Sequence, residues 1–140
     1  MVTLQFNISI NAPREKVWKA LWDESNYQQW TAVFGEGSSA KSDWQEGSTI
    51  QFLGANGDGM YGRIDKMVPN TQMTFKHLGE IRNGEQKESE WAGALESYFL
   101  TGNGAATELF VEMDTAESHQ QYFKDTFPKA LQIVKQLAEQ

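Results

Sequence analysis

Chemistry at neutral pH needs a proton-trading group, a nucleophile or a metal ligand, and this 140-residue chain offers few of them. It has two histidines, His77 and His119, and no cysteine. Without thiols there is no disulfide framework, thiolate zinc site or cysteine nucleophile. Neither histidine stands at ligand spacing from a second good ligand, so no metal and no cofactor is expected. His119 falls in the first turn of an expected helix, where water reaches it. His77 and Glu96 fall in strand-like segments and are the candidate acid–base pair, the carboxylate orienting the imidazole. His77 could equally be a satisfied core histidine. No serine is placed beside the pair, so no nucleophile constellation is readable. Gly57-x-Gly59-x-x-Gly62 has the letters of a dinucleotide fingerprint, which needs a helix after it to receive the pyrophosphate. An alternating strand follows instead, and Pro69 comes soon, so these glycines read as a hairpin.

Charge narrows the partners. Nineteen Asp and Glu against twelve Lys and Arg give a net charge of −7. That argues against phosphate-based nucleic-acid binding and against docking on anionic membranes. The first ten residues lack a basic start before an apolar core, and no stretch approaches the ~20 apolar residues of a membrane span. A cytoplasmic protein is the default. The length fits one domain, residues 1–140.

Positioning His77 and Glu96 falls to a predominantly β framework. Val2, Leu4, Phe6, Ile8 and Ile10 alternate with polar residues as in a half-buried strand. Pro13 suits the first turn of a helix carrying Val17, Leu21 and their neighbours. A second short helix is expected from Ser25 or Asn26 to about Phe34. Turn signals at residues 55–59, Pro69-Asn70, Asn83-Gly84 and Gly102-Asn103-Gly104 then divide strands near 39–44, 48–54, 59–67, 71–79, 90–101 and 106–114. Ser118-x-x-Gln121 reads as a capping box for a last helix with the stripe Phe123, Phe127, Ala130, Leu131, Val134, Leu137. Pro128 predicts a kink there, or a new start capped by Asp125 or Thr126.

Pairing the strands about their turns sets Phe52 opposite Met60, Gly62 opposite His77, Ile64 opposite Phe75 and Tyr98 opposite Val111. It also sets Phe75 opposite Ala92 and Met73 opposite Ala94. All these then share one face, because opposed residues do. Its middle is small, with Gly62, Ala92 and Ala94 around Phe75, and its polar interruptions are His77, Glu96 and the Tyr98 hydroxyl. Close packing demands that something fill such a patch. Either rings from the helices do, or a cavity holds a small molecule. In the second case Phe52, Met60, Phe75, Tyr98, Phe123 and Phe127 line the interior. The five tryptophans read as core anchors, with Trp30 and Phe34 the ligand-facing walls on the helix roofing the mouth. Phe99 and Phe110 pair on the outer face, as a cross-strand stack or a contact for a second subunit.

The element order and the segments Ile10–Trp22 and Tyr27–Trp30 resemble the SRPBCC or START-like superfamily. Within it the chain resembles the branch of homologues of the heat-shock-protein ATPase activator. Gly59–Gly62, Glu96–Tyr98, Thr107–Leu109 and Phe127–Leu131 fit the same branch. The resemblance spans nearly all the chain, and its motifs are mainly structural. It implies an α+β helix-grip fold. A curved antiparallel sheet of six or seven strands wraps a long C-terminal helix, with two short helices after the first strand. It also implies a deep apolar cavity for lipid-like or polyketide-like molecules. Alternatives are a cyclase, dehydratase or hydrolase using His77 or Glu96, or a chaperone-associated interaction domain. A homodimer is a further possibility.

Overall fold

The computed structural model describes residues 1–102 and 104–140. The N-terminal alternation forms β1 (Val2–Ile10). Two short helices follow, α1 (Arg14–Trp22) and α2 (Glu24–Thr31). Then come β2 (Ser39–Ser42), β3 (Thr49–Leu53), β4 (Gly59–Val68), β5 (Gln72–Arg82), β6 (Glu85–Glu88), β7 (Ala94–Thr101) and β8 (Thr107–Thr115). A single 3₁₀ turn, Glu117–His119, leads into α3 (Gln120–Ala138). The sheet is antiparallel, in the order β1-β8-β7-β5-β4-β3-β2, with β6 beside β5. The α+β architecture expected from the sequence is present. Asp23 ends α1 and is the N-cap of α2, two residues before the expected Ser25 cap, and α2 ends at Thr31 rather than near Phe34.

Pairing matches expectation at three turns. Phe52 faces Met60, Ile64 faces Phe75, and Tyr98 faces Val111. The third of these turns is centred on Asn103, which lies outside the described residues. The fourth turn departs from the sequence reading. Asn83-Gly84 closes a hairpin with Arg82 opposite Glu85, and both turn residues take the positive φ this needs. However, that pairing ends at Glu88, residues 89–93 loop out, and β7 rejoins β5 in a new register. Phe75 faces Glu96 rather than Ala92, and His77 faces Ala94. The displacement is even, so Ala94, Glu96 and Tyr98 keep the inner face.

The inner face is covered by helices. Val17, Ala20, Leu21 and Trp22 of α1, and Tyr27 and Trp30 of α2, are buried. Phe127, Ala130, Leu131 and Val134 give α3 its buried stripe. It runs along β1 and against α1 and α2, and Phe127 stacks on Phe6 at 5.0 Å. Phe99 and Phe110 pair on the outer face at 6.0 Å.

Pro128 sits inside α3, which is continuous rather than restarting at Asp125 or Thr126. The Ser118 side chain makes no cap hydrogen bond. Buried side chains on either side of Pro128 hold the helix together despite the missing Pro128 N–H, which leaves the Lys124 carbonyl out of the ladder. Pro128 is exposed. Pro128→Ala is therefore expected to stabilise the protein by about 1–3 kcal/mol, net of the entropy it returns to the unfolded chain. A rise in the urea midpoint at unchanged slope would register it.

Candidate functional site

Adjacent β5 and β7 bring three polar side chains together on the inner face. With Phe75 opposite Glu96, and His77 opposite Ala94, the imidazole and carboxylate are diagonal neighbours. His77 Nε2 lies 2.9 Å from Glu96 Oε1, with side-chain exposures of 8% and 20%. The Tyr98 hydroxyl donates to Glu96 Oε2, and Tyr98 is fully buried. Burial pushes the Glu96 carboxyl up, but the His77 hydrogen bond and charge and the Tyr98 hydroxyl outweigh it. The net position is below the ordinary carboxylate value. An ionised carboxylate only accepts, so Nε2 of His77 carries the proton of their hydrogen bond. Burial, then the Glu96 charge, raises Tyr98 well above the ordinary tyrosine value, and the same causes raise Tyr27. Among the described residues, two buried side-chain polar atoms lack a partner, His77 Nδ1 and Trp22 Nε1.

These groups belong to one cavity of about 520 Å³, open on one side. Its helical wall is Trp22, Tyr27, Trp30, Thr31 and Phe34, continued by Tyr122, Phe123 and Phe127 of α3. Its sheet wall includes Phe52, Met60, His77, Ala94, Glu96, Tyr98 and Met113. Trp91, on the loop before β7, closes one flank, and the His77 ring lies 6.4 Å from it and 5.3 Å from Phe52. A smaller cavity of about 290 Å³ shares Trp22 and Tyr27 and extends toward Lys41 and Trp44.

Most of the residues singled out from sequence meet here: Trp30, Phe34, Phe52, Met60, His77, Ala94, Glu96, Tyr98, Phe123 and Phe127. Gly62, Phe75 and Ala92 do not line the cavity. Gly62 lies opposite a bulge in β5 that leaves Leu78 unpaired, and an added Cβ would sit 2.2 Å from the Lys76 carbonyl oxygen. Its smallness answers to the backbone of β5 and opens no space. Phe75 is capped edge-on by Trp22 at 5.4 Å and by Phe52 at 5.1 Å. Ala92 is in the loop that carries Trp91. The protein's own rings thus fill the space over Phe75, and the cavity opens nearer His77 and the start of α3. The lining residues Trp22, Tyr27 and Trp91 read only as core or went unread. Tyr27 and Trp30, three apart on one short helix, carried a usable signal.

Residues 11–139 match the family model described as Activator of Hsp90 ATPase homolog 1-like protein. The chain belongs to that family. Solved structures similar to this chain include the Aha1 dimer from Colwellia psychrerythraea. That protein is 22% identical at a TM-score of 0.73, with 99% of this chain and 97% of that one aligned. CalU16 from Micromonospora echinospora is 19% identical at a TM-score of 0.68, aligned over 95% and 71% of the two chains. DynU16, from the dynemicin biosynthetic locus, is 18% identical at 0.69; 96% of the activator-like chain aligns with it but spans only 46% of that protein. At these identities the likeness is one of fold. No curated protein matches by sequence. Among the described residues, no helix of the activator-like chain is long and apolar enough to cross a membrane.

Proposed function

We propose that the domain binds a small apolar or aromatic molecule between the sheet and the N-terminal half of α3. The observation that carries this reading is the combination within one open cavity of a largely aromatic wall and a buried His77–Glu96–Tyr98 cluster. Such a composition gives a ligand most of its binding through apolar burial and its orientation through a few polar groups. DynU16, from a biosynthetic locus, supports small-molecule handling by analogy of fold.

Native mass spectrometry against a panel of lipid-like and polyketide-like compounds tests it. Retention at one molecule per chain is expected, and Ala94→Leu, which pushes a larger side chain into the cavity, should abolish it while the fold survives by circular dichroism. No retained compound, or retention indifferent to Ala94→Leu, would sink the proposal. The hydrogen bond between His77 and Glu96 favours one second reading, an acid–base enzyme acting on the bound molecule. On that reading His77→Gln leaves retention intact and ends turnover of the retained compound.

A further inference from the structure

The charges around the cavity point to what it would accept, an inference that rests on the binding reading above. Its lining holds three carboxylate residues, Glu80, Glu96 and Asp114, and two histidines, His77 and His119. Among the described residues, no Lys or Arg side chain lines it. Lys87 stands opposite Glu80 on β6, outside the lining. Arg82 meets Glu80 at 3.6 Å from a position 68% exposed, and Met1 at the mouth is 67% exposed. Deeper in, Glu96 is a half-buried carboxylate that accepts from His77 and Tyr98.

An anionic ligand entering here would lose its hydration and meet no Lys or Arg side chain in the lining; the imidazole of His77 is already engaged by Glu96. Desolvating an unpaired charge is among the costliest things a site can do. An ammonium meets the opposite conditions. Glu80, more exposed, and Glu96, less exposed, share the lining with Trp22, Tyr27, Trp30 and Trp91, the ring types that attract cations most strongly. We propose that the cavity selects amine-bearing aromatic or apolar molecules and rejects carboxylates and phosphates of the same size and shape.

Three matched probes separate charge from shape: 2-naphthylmethylamine, 2-naphthylmethanol and 2-naphthoic acid, titrated calorimetrically into the wild-type protein at neutral pH and low salt. The amine is expected to bind at least about tenfold more tightly than the acid, with the alcohol between. Glu96→Gln and, separately, the exposed-rim change Glu80→Gln should each narrow the amine-to-acid ratio. The rim variant keeps the test open if the buried one does not fold. Naphthoic acid binding as well as the amine, or the alcohol binding best, overturns the charge selection and leaves the cavity reading standing. Binding of none of the three overturns both.

Discussion

Trp22→Ala is expected to lower the unfolding free energy by about 3–5 kcal/mol, the cost of emptying a large aromatic from a packed core. Trp22 is the hub of the inner aromatic cluster. Its ring lies 5.0 Å from Tyr98 and 5.4 Å from Phe75, both edge-on, and within 6.4 Å of Trp18, Tyr27, Trp30 and Trp44. Each such pair adds to plain burial through ring geometry. Its indole N–H has no partner, so the substitution strands no buried acceptor and the loss is one of packing alone. Trp22→Phe keeps much of the area and is expected to lose roughly half as much. Against a total stability of about 5–15 kcal/mol for an ordinary domain, the alanine variant sits near the edge of folding. Urea denaturation followed by circular dichroism measures both. A loss below about 1 kcal/mol for Trp22→Ala would mean that the surrounding rings collapse into the hole.

The same residue explains why the site was only partly legible in the sequence. Alternation and turn chemistry identify which side chains point inward, since parity along a strand is set by the backbone. Hence alternation alone assigns His77, Glu96 and Tyr98 to one face. Parity does not say what stands above that face. Trp22 follows Leu21 at the end of a nine-residue helix, and whether it caps Phe75 depends on the sharp junction at Asp23, a tertiary matter. Small residues proved a weak guide for a related reason. Gly62 is small because a bulge presses β4 onto the β5 backbone.

Register shows a second limit. The Asn83-Gly84 hairpin is readable from its turn residues, and it forms. Its continuation is not readable, because Ser89 to Gly93 turns back through a local hydrogen bond, Ala92 N to the Ser89 carbonyl, and rejoins β5 through Gly93 N to the His77 carbonyl. That excursion places Trp91 over His77 and moves Glu96 opposite Phe75. A turn fixes pairing only while the two strands stay paired, so the local signal ends where the loop begins.

His77→Ala is expected to cost about 2–4 kcal/mol, less than for a fully buried pair, because it leaves the half-buried Glu96 carboxylate with the Tyr98 hydroxyl but no imidazole partner. Adding Glu96→Gln to that background removes the stranded charge. The double variant is therefore expected to be more stable than His77→Ala by about 1–3 kcal/mol, a rescue that independent sites would not show. The pH dependence has a sign that follows from the same contacts. Glu96 lies below its ordinary value in the folded state, so its contribution is full above the unfolded value, near about pH 4. It is lost as pH falls through the folded value, when the unfolded chain has already taken up the proton. Tyr98 and Tyr27 lie above theirs. Their contribution is full below about pH 10 and fades as pH rises beyond it. Wild-type stability should thus fall at both extremes. Glu96→Gln should flatten the acid side, while Tyr98→Phe should lessen the loss on the alkaline side. Equal acid slopes for wild type and Glu96→Gln would show that other carboxylates govern acid unfolding, and that the His77–Glu96 contact stabilises the fold far less than its burial implies.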